Sequence, residues 1–423
     1  MSKRVVKTCL SLALVSATSQ GFASGFAINE QSVSNMGTAF AGRSSSADDA
    51  STVFGNPAGM SRIKREQISG GISLIHAKTD IDNASGSASG SNDGDMVPFI
   101  GAPMGYYVKP LDDSWSVGLG LYVPFGLVTD YERNFQGRYH GDRSEVQVIT
   151  LQPTLSYRVN EQLSIGFGPT INRIDGELTS AIENPFAGGD GKVEIKGDDT
   201  ALGYNLGVLF EITPQTRFGL TYHSKVDYRL KGDTTVSGPG VIATSAGTYD
   251  ASLELTTPES VDVSVTHELN ADWTLYAGST WTRWSRLEEI LVENEGAAGR
   301  FAGIREQMSW RDTWSHAIGA AYQLNPQLVL RAGVAYDQTP TTNAHRNVRI
   351  PVGDRKIFSL GAGWTPSPEL TIDLAYAYIH EEKVSVNLAD TGAAAPGVFL
   401  KPAYSADYRN SAHGIGSQLT YRF

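Results

Sequence analysis

Residues 370–379 read LTIDLAYAYI. Leu370, Ile372, Leu374, Tyr376 and Tyr378 fall on one parity, and Thr371, Asp373, Ala375 and Ala377 on the other. Alternate side chains of a strand point to opposite faces. The stretch therefore predicts a strand with one greasy face and one small or polar face. Residues 327–337 repeat the pattern, with Leu328, Leu330, Val334 and Tyr336 opposing Arg331, Gly333 and Asp337. In 308–322, Trp310, Trp314, Ile318, Ala320 and Tyr322 oppose Arg311, Thr313, Ser315 and Gly319.

Working outward, the same period of two predicts strands near 66–79, 96–109, 114–124, 143–159, 162–175, 199–212, 215–231, 248–268, 272–286, 308–323, 327–338, 354–366, 369–383 and 411–423. That makes fourteen, the even count expected of a single-chain bacterial barrel. Short turns such as Asn160-Glu161, Asn325-Pro326 and Ser367-Pro368 alternate with long polar segments at 80–95, 125–142, 232–247, 287–307 and 384–410. Short turns suit the periplasmic side and long loops the outside. A soluble array of β-sandwiches would also alternate. Two features favour a membrane barrel: Trp273, Trp281, Trp284, Trp310, Trp364 and Tyr421 gather near strand ends, as an interface girdle requires, and the face opposite the greasy one suits a wet lumen. No stretch is long and apolar enough for a spanning helix, and in lipid a sheet must close on itself. The expectation is an all-β, fourteen-stranded antiparallel transmembrane β-barrel.

The N-terminus bounds where the chain goes. Lys3, Arg4 and Lys7 precede the short apolar run 9–17 (CLSLALVSA), and Gly21-Phe22-Ala23 has the small-x-small form of a cleavage site. Residues 1–23 are expected to be a signal peptide. The one cysteine, Cys9, lies inside it, which excludes disulfides, a cysteine zinc site and a thiol nucleophile from the rest. The chain carries 45 acidic against 34 basic residues, and loss of the leader makes the remainder more acidic still. Such a chain repels phosphate backbones, so nucleic acid is not an expected partner.

Residues 24–65 precede the first strand and do not alternate. They carry apolar anchors that a disordered leader would lack, among them Phe26, Ile28, Met36, Phe40, Phe54 and Met60. Fourteen strands enclose more space than their own side chains fill, so this segment is expected to fold inside the lumen as a plug, with 66–423 forming the barrel.

Here a resemblance becomes specific. Residues 25–30 (GFAINE), 37–42 (GTAFAG), 47–50 (ADDA) and Asn56-Pro57-Ala58 resemble the N-terminal hatch of the long-chain fatty acid transporter family, which includes aromatic-hydrocarbon channels. Within the barrel, residues 123–131 (VPFGLVTDY), 310–314 (WRDTW), 331–337 (RAGVAYD), Arg349-Ile350-Pro351 and Asp354-Arg355 are similar to family segments in the same order. The resemblance implies a monomeric, hatch-plugged barrel in the outer membrane. It implies passive uptake of hydrophobic compounds, long-chain fatty acids foremost and hydrocarbons as the alternative. It also implies gating by Phe26 and Asn56-Pro57-Ala58, and sideways exit at an inward kink of the third strand. Pro124-Phe125-Gly126 stands where that kink would fall. Pro124 lacks a donor and Gly126 permits unusual dihedrals, so a regular ladder cannot run through them. Expected partners are the substrate, outer-membrane lipid and lipopolysaccharide, and the barrel-assembly machinery, whose signal the terminal residues 419–423 (LTYRF) resemble.

A fatty acid needs a cation at one end of its tunnel, since a buried carboxylate must be paired. Arg311 and Arg173 fall near family carboxylate positions. Alternation points Arg311 inward on the tenth strand. Arg173 shares parity with Ile165, Phe167 and Ile171, and faces the lumen only if a bulge intervenes or the strand has left the membrane there. Enzymatic readings have little support. The eight histidines are scattered singly, and no H-E-x-x-H, G-x-S-x-G or P-loop occurs. No catalytic residue, metal or cofactor is expected. A general porin and a barrel-embedded hydrolase stand as competing readings.

Overall fold

The computed structural model describes residues 25–184, 188–239, 241, 245–391 and 401–423. The expected signal peptide, and parts of the expected loops at 232–247 and 384–410, lie outside the described residues. Six long strands come first: β1 (Gln67–Gly86), β2 (Ile100–Pro110), β3 (Trp115–Asp130), β4 (Arg143–Arg158), β5 (Leu163–Ile182) and β6 (Gly191–Thr213). The next four positions in the wall are each split in two. These are β7 (Thr216–His223) with β8 (Val226–Ser237), β9 (Gly247–Thr257) with β10 (Ser260–Glu268), β11 (Trp273–Thr282) with β12 (Glu289–Asn294), and β13 (Gly303–Gln307) with β14 (Thr313–Asn325). β15 (Leu328–Asp337) and β16 (Arg355–Ser367) are continuous, β17 (Leu370–Glu381) and β18 (Val384–Leu388) share one position, and β19 (Tyr404–Arg422) pairs back onto β1. The result is a closed antiparallel barrel of fourteen wall positions, each carrying one of the expected strands.

The faces follow the alternation. On β5, Ser164, Thr170 and Asn172 are buried inward, while Ile165 and Phe167 are 44% and 48% exposed on the outside. An outer wall of exposed leucine, isoleucine and phenylalanine is what lipid demands and water would not tolerate. Several strands run further than expected at the outer end. β1 extends to Gly86, β5 to Ile182, and β12 and β13 occupy most of the expected loop 287–307. Beyond the bilayer the outer face meets water instead of lipid, so the ladder continues without the greasy outer face that marks it in sequence.

Residues 25–66 fold inside the barrel around two short helices, α1 (Val33–Met36) and α2 (Thr52–Gly55), and a 3-10 turn at Pro57–Arg62. Ser32 caps α1 by accepting from the Asn35 amide. The bonds of this plug reach walls on several sides. Val33 N donates to Gln418 on β19 (3.1 Å), Gln152 on β4 donates to Val53 O (2.8 Å), Asn56 donates to Val208 O on β6 (2.9 Å), and Ser44 bonds Thr221 on β7 (2.9 Å). Close approach needs glycine on the wall. A Cβ on Gly207 would lie 2.0 Å from Asn56 Oδ1, and one on Gly219 would lie 1.9 Å from the Ser44 carbonyl oxygen. Three non-glycine residues of the plug, Ala39, Phe40 and Ala47, hold positive φ. Such strain persists only where surrounding contacts over-determine the backbone.

Two of the expected girdle residues are not girdle. Trp273, Trp314, Trp364 and Tyr421 stand exposed on the outer wall, but Trp284 and Trp310 are buried at 0% and 5%. Both lie where the wall is interrupted, Trp284 in the 3-10 turn between β11 and β12 and Trp310 in the break between β13 and β14. Leaving the ladder cancels the parity that would have turned Trp310 to lipid, while Trp284 is on the parity opposite the outward Trp273 and Leu275.

Candidate functional site

The site grows from the third strand. β3 pairs with β2 only from Pro110↔Ser116 to Gly105↔Leu121, although β2 continues, paired to β1, as far as Ile100. On its other side β3 slips register against β4 between Tyr122 and Phe125. At Val123-Pro124 the strand thus leaves one neighbour and shifts against the other. The start of the plug takes the place of the lost neighbour. Ile28 N donates to Pro124 O and Gly126 N donates to Phe26 O, both at 2.8 Å, and Gln31 Nε2 donates to Val123 O at 2.6 Å. Ile28, Ala102, Val123 and Ile149 pack together across the opening.

Phe26 then enters an aromatic cage. Its ring centroid lies 4.9 Å from Trp284, 5.7 Å from Phe125 and 6.0 Å from Trp310. Gly25 precedes it with φ +66°, and a Cβ there would fall 2.8 Å from both indoles. The cage is the floor of an apolar chamber lined by Ile174, Leu230, Leu255 and their neighbours, with about 70 Å³ of open space among Val146, Leu253, Ile290 and Val292. On the plug side of the cage lies a second cavity of about 90 Å³ with a different character. Arg43, Asn29, Thr170, Asn172, Asn205 and Asp262 line it, as do Ala27, Phe125 and Val226, which also pack in the apolar cluster of the cage. The arrangement can hold an elongated molecule with an apolar body and one polar end.

Glu30 is buried beside this region with one carboxylate oxygen lacking a hydrogen-bond partner. Loss of hydration pushes its carboxyl up to about 7; backbone amides and the charges of Arg43 and Arg355 pull it back only in part.

The sequence-predicted residues are divided among different places. Phe26 and Pro124-Phe125-Gly126 meet in the cage and the interrupted wall. Asn56-Pro57-Ala58 is elsewhere, against β5 and β6: Asn56 Nδ2 donates to Ser44 O (2.7 Å) and Val208 O (2.9 Å), and its oxygen accepts from the Ala58 amide. The bond to Val208 anchors the plug to the wall, and the other two brace the plug itself. Both candidate carboxylate residues need correction. Arg173 pairs with Asp175 at 3.0 Å and Asp198 at 3.1 Å on the outer face. No bulge shifts β5 against either neighbour there, so its parity keeps it out of the lumen. Arg311 lies in the break before β14, its side chain 55% exposed and 3.8 Å from Asp354. Asp354 accepts from Tyr336, which shares the outward parity of Leu330 and Val334. Arg311 therefore stands at the outer rim, because the wall is broken where alternation would have turned it inward. Arg43, which reaches the lumen from the plug, had no periodic signal to mark it.

Residues 14–423 match the family described as Outer membrane protein transport protein (OMPP1/FadL/TodX). The chain is 30% identical to Outer membrane protein P1 of Haemophilus influenzae over 100% of both chains. It is 27% identical to a long-chain fatty acid transport protein of Escherichia coli, over 99% of this chain and 98% of that one. Among solved structures, a Pseudomonas aeruginosa FadL homologue superimposes with a TM-score of 0.85 at 26% identity, covering 95% of this chain and all of that one. The Ralstonia pickettii toluene transporter TbuX shares the fold, with a TM-score of 0.68 at 18% identity over 96% of this chain and 99% of that one. With that match running through the closed fourteen-position barrel and its plug, the chain belongs to the OMPP1/FadL/TodX family of outer-membrane transport proteins and is a multi-pass β-barrel of that membrane.

Proposed function

We propose that this chain is a passive uptake channel for long-chain fatty acids, and that its plug, residues 24–65, gates a sideways exit through the wall. The carrying observation is the departure of β3 from β2 at Leu121, with the plug's own start bonded into the opening. A molecule in the apolar chamber that displaces Phe26 also loosens Ala27 and Ile28, which stop the gap. Asn56-Pro57-Ala58 holds the rest of the plug while that end moves. The end-to-end similarity to a protein named for long-chain fatty acid transport supports the choice of substrate. On this reading no bond of the substrate is made or broken and no cofactor is used. Residues 1–23 direct export and are removed, the terminal Phe423 addresses the barrel-assembly machinery, and the monomer sits among outer-membrane lipid and lipopolysaccharide.

A second reading has one observation in its favour. The cage of Phe26, Phe125, Trp284 and Trp310 would also suit a flat aromatic hydrocarbon. Expression in a strain lacking its own transporters, with labelled oleate and labelled toluene supplied separately, separates the two. Restored oleate uptake is the expected result. Restored toluene uptake alone would move the assignment to hydrocarbons. High single-channel conductance without either uptake would favour a general porin.

A further inference from the structure

The inward arginines of the wall and of the segment between β15 and β16 are already engaged, Arg346 by donating to Thr341, Val352, Asn343 and Ser385. Arg217 pairs with Glu268 at 2.6 Å, Arg331 with Asp373 at 2.7 Å, Arg349 with Glu306 at 3.1 Å and Arg355 with Glu381 at 2.7 Å. Arg43 differs. It is carried by the plug, donates to Asn29 Oδ1 at 2.8 Å and lies 5.3 Å over the Phe40 ring, and no ion pair joins it to a carboxylate of the described residues. A guanidinium carries five N–H donors, so most of its fork is available to a ligand.

We propose that Arg43 binds the carboxylate of the substrate inside the lumen, with the alkyl chain lying back through the cage into the apolar chamber. The proposal rests on the fatty-acid reading and specifies which cation serves it. The polar cavity of about 90 Å³ has room for a carboxylate and a short length of chain, not for a whole fatty acid. The remaining chain has apolar side chains to follow, since Ala27, Phe125 and Val226 line the polar cavity and pack in one cluster with Ile174, Leu230 and Leu255 of the apolar chamber. A carboxylate cannot rest in such a place unpaired, and Arg43 is the partner the cavity supplies. Asp262 also faces the cavity, but it accepts from Ser44 and Thr280 and makes no ion pair with Arg43. Pro124 lines the same space, so a bound head group sits beside the interrupted wall. A plug-borne anchor also couples binding to gating, because the ligand pulls on the element that must move.

The test compares oleate with oleyl alcohol, which differ in the head group alone, on the purified full-length barrel. Arg43→Ala should weaken oleate binding by about tenfold to a hundredfold, the range of a lost charge-assisted hydrogen bond, and change oleyl alcohol by less than about twofold. Arg43→Lys should recover part of the oleate affinity, since it keeps the charge without the fork. Unchanged oleate binding in a folded Arg43→Ala barrel would overturn the proposal, and so would equal loss of both ligands. If the unaltered protein binds no oleate, the fatty-acid reading itself fails. Heat-modifiable gel migration establishes folding, and Arg43→Gln serves if the alanine variant does not fold.

Discussion

Glu30 makes docking of the plug's first residues depend on pH. In the docked plug its carboxyl is raised to about 7 from an ordinary 4.5, because burial removes water and one oxygen finds no donor. The docked state therefore holds the proton more tightly than the released state. Docking is strongest below about pH 4.5, weakens as pH rises, and has lost the whole increment once pH passes about 7. At 1.36 kcal/mol per pH unit, the shift corresponds to about 3 kcal/mol. Hydrogen exchange of the amides around Ile28, corrected for the intrinsic pH dependence of exchange, should lose roughly a hundredfold in protection between pH 4.5 and pH 8. Glu30→Gln should flatten the profile and leave these amides better protected than in the parent at pH 8. A flat parent profile, or the same slope in the glutamine variant, would refute the reasoning.

Other outcomes follow from the same geometry. Phe26→Ala removes a caged ring at a cost of about 3 kcal/mol and should speed exchange at the Ile28 and Gly126 amides, leaving those of Ser44 and Asn56 as they were. Ala102→Leu, adding bulk where Ile28, Val123 and Ile149 pack across the opening, should reduce oleate uptake in a barrel that still shows heat-modifiable migration; normal uptake by a folded variant would argue against the sideways exit. Gly207→Val places a side chain where Asn56 now sits and should raise ion conductance by unseating the plug, and conductance at the parental level would show that the Asn56 anchor is dispensable.

The fourteen strands were legible because the bilayer imposes their pattern. Backbone groups must pair and side chains must separate into lipid and lumen, and Leu370–Tyr378 displays the outcome directly. Legibility ended where that constraint ended. The outer extensions of β1 and β5 carry no clean period because neither face meets lipid. Trp310 and Arg311 depart from the expectation for a related reason: both lie in a break of the wall, where counting by twos transfers a parity the backbone no longer obeys, and Trp284 lies near a strand end but on the inward parity. Arg173 obeyed its parity, and its two aspartate partners account for it without a ligand. Arg43 lies in plug sequence noticed for its glycines and acids. Its place opposite the chamber depends on contacts with strands that are up to hundreds of residues away in the chain, and no local pattern encodes those.

The way the plug is held bears on how such a channel could open. Its middle and end are tied to several walls by Ser44, Val53, Asn56 and Arg62, with the Arg62–Glu211 pair at 2.7 Å among the ties. Ejecting all of it would break many of these bonds at once and leave buried polar groups unpaired, each costing about 1–3 kcal/mol. The first residues are held differently. Releasing Phe26 to Ile28 breaks two backbone bonds to Pro124 and Gly126, at about 1 kcal/mol net each, and uncages one ring at about 3 kcal/mol. That sum is within reach of an apolar ligand that takes the ring's place, because the ligand restores most of the lost burial. On the proposed function, opening is therefore a local exchange of Phe26 for substrate at the interrupted strand, with Glu30 uncovered and the plug from Gln31 onward still in place.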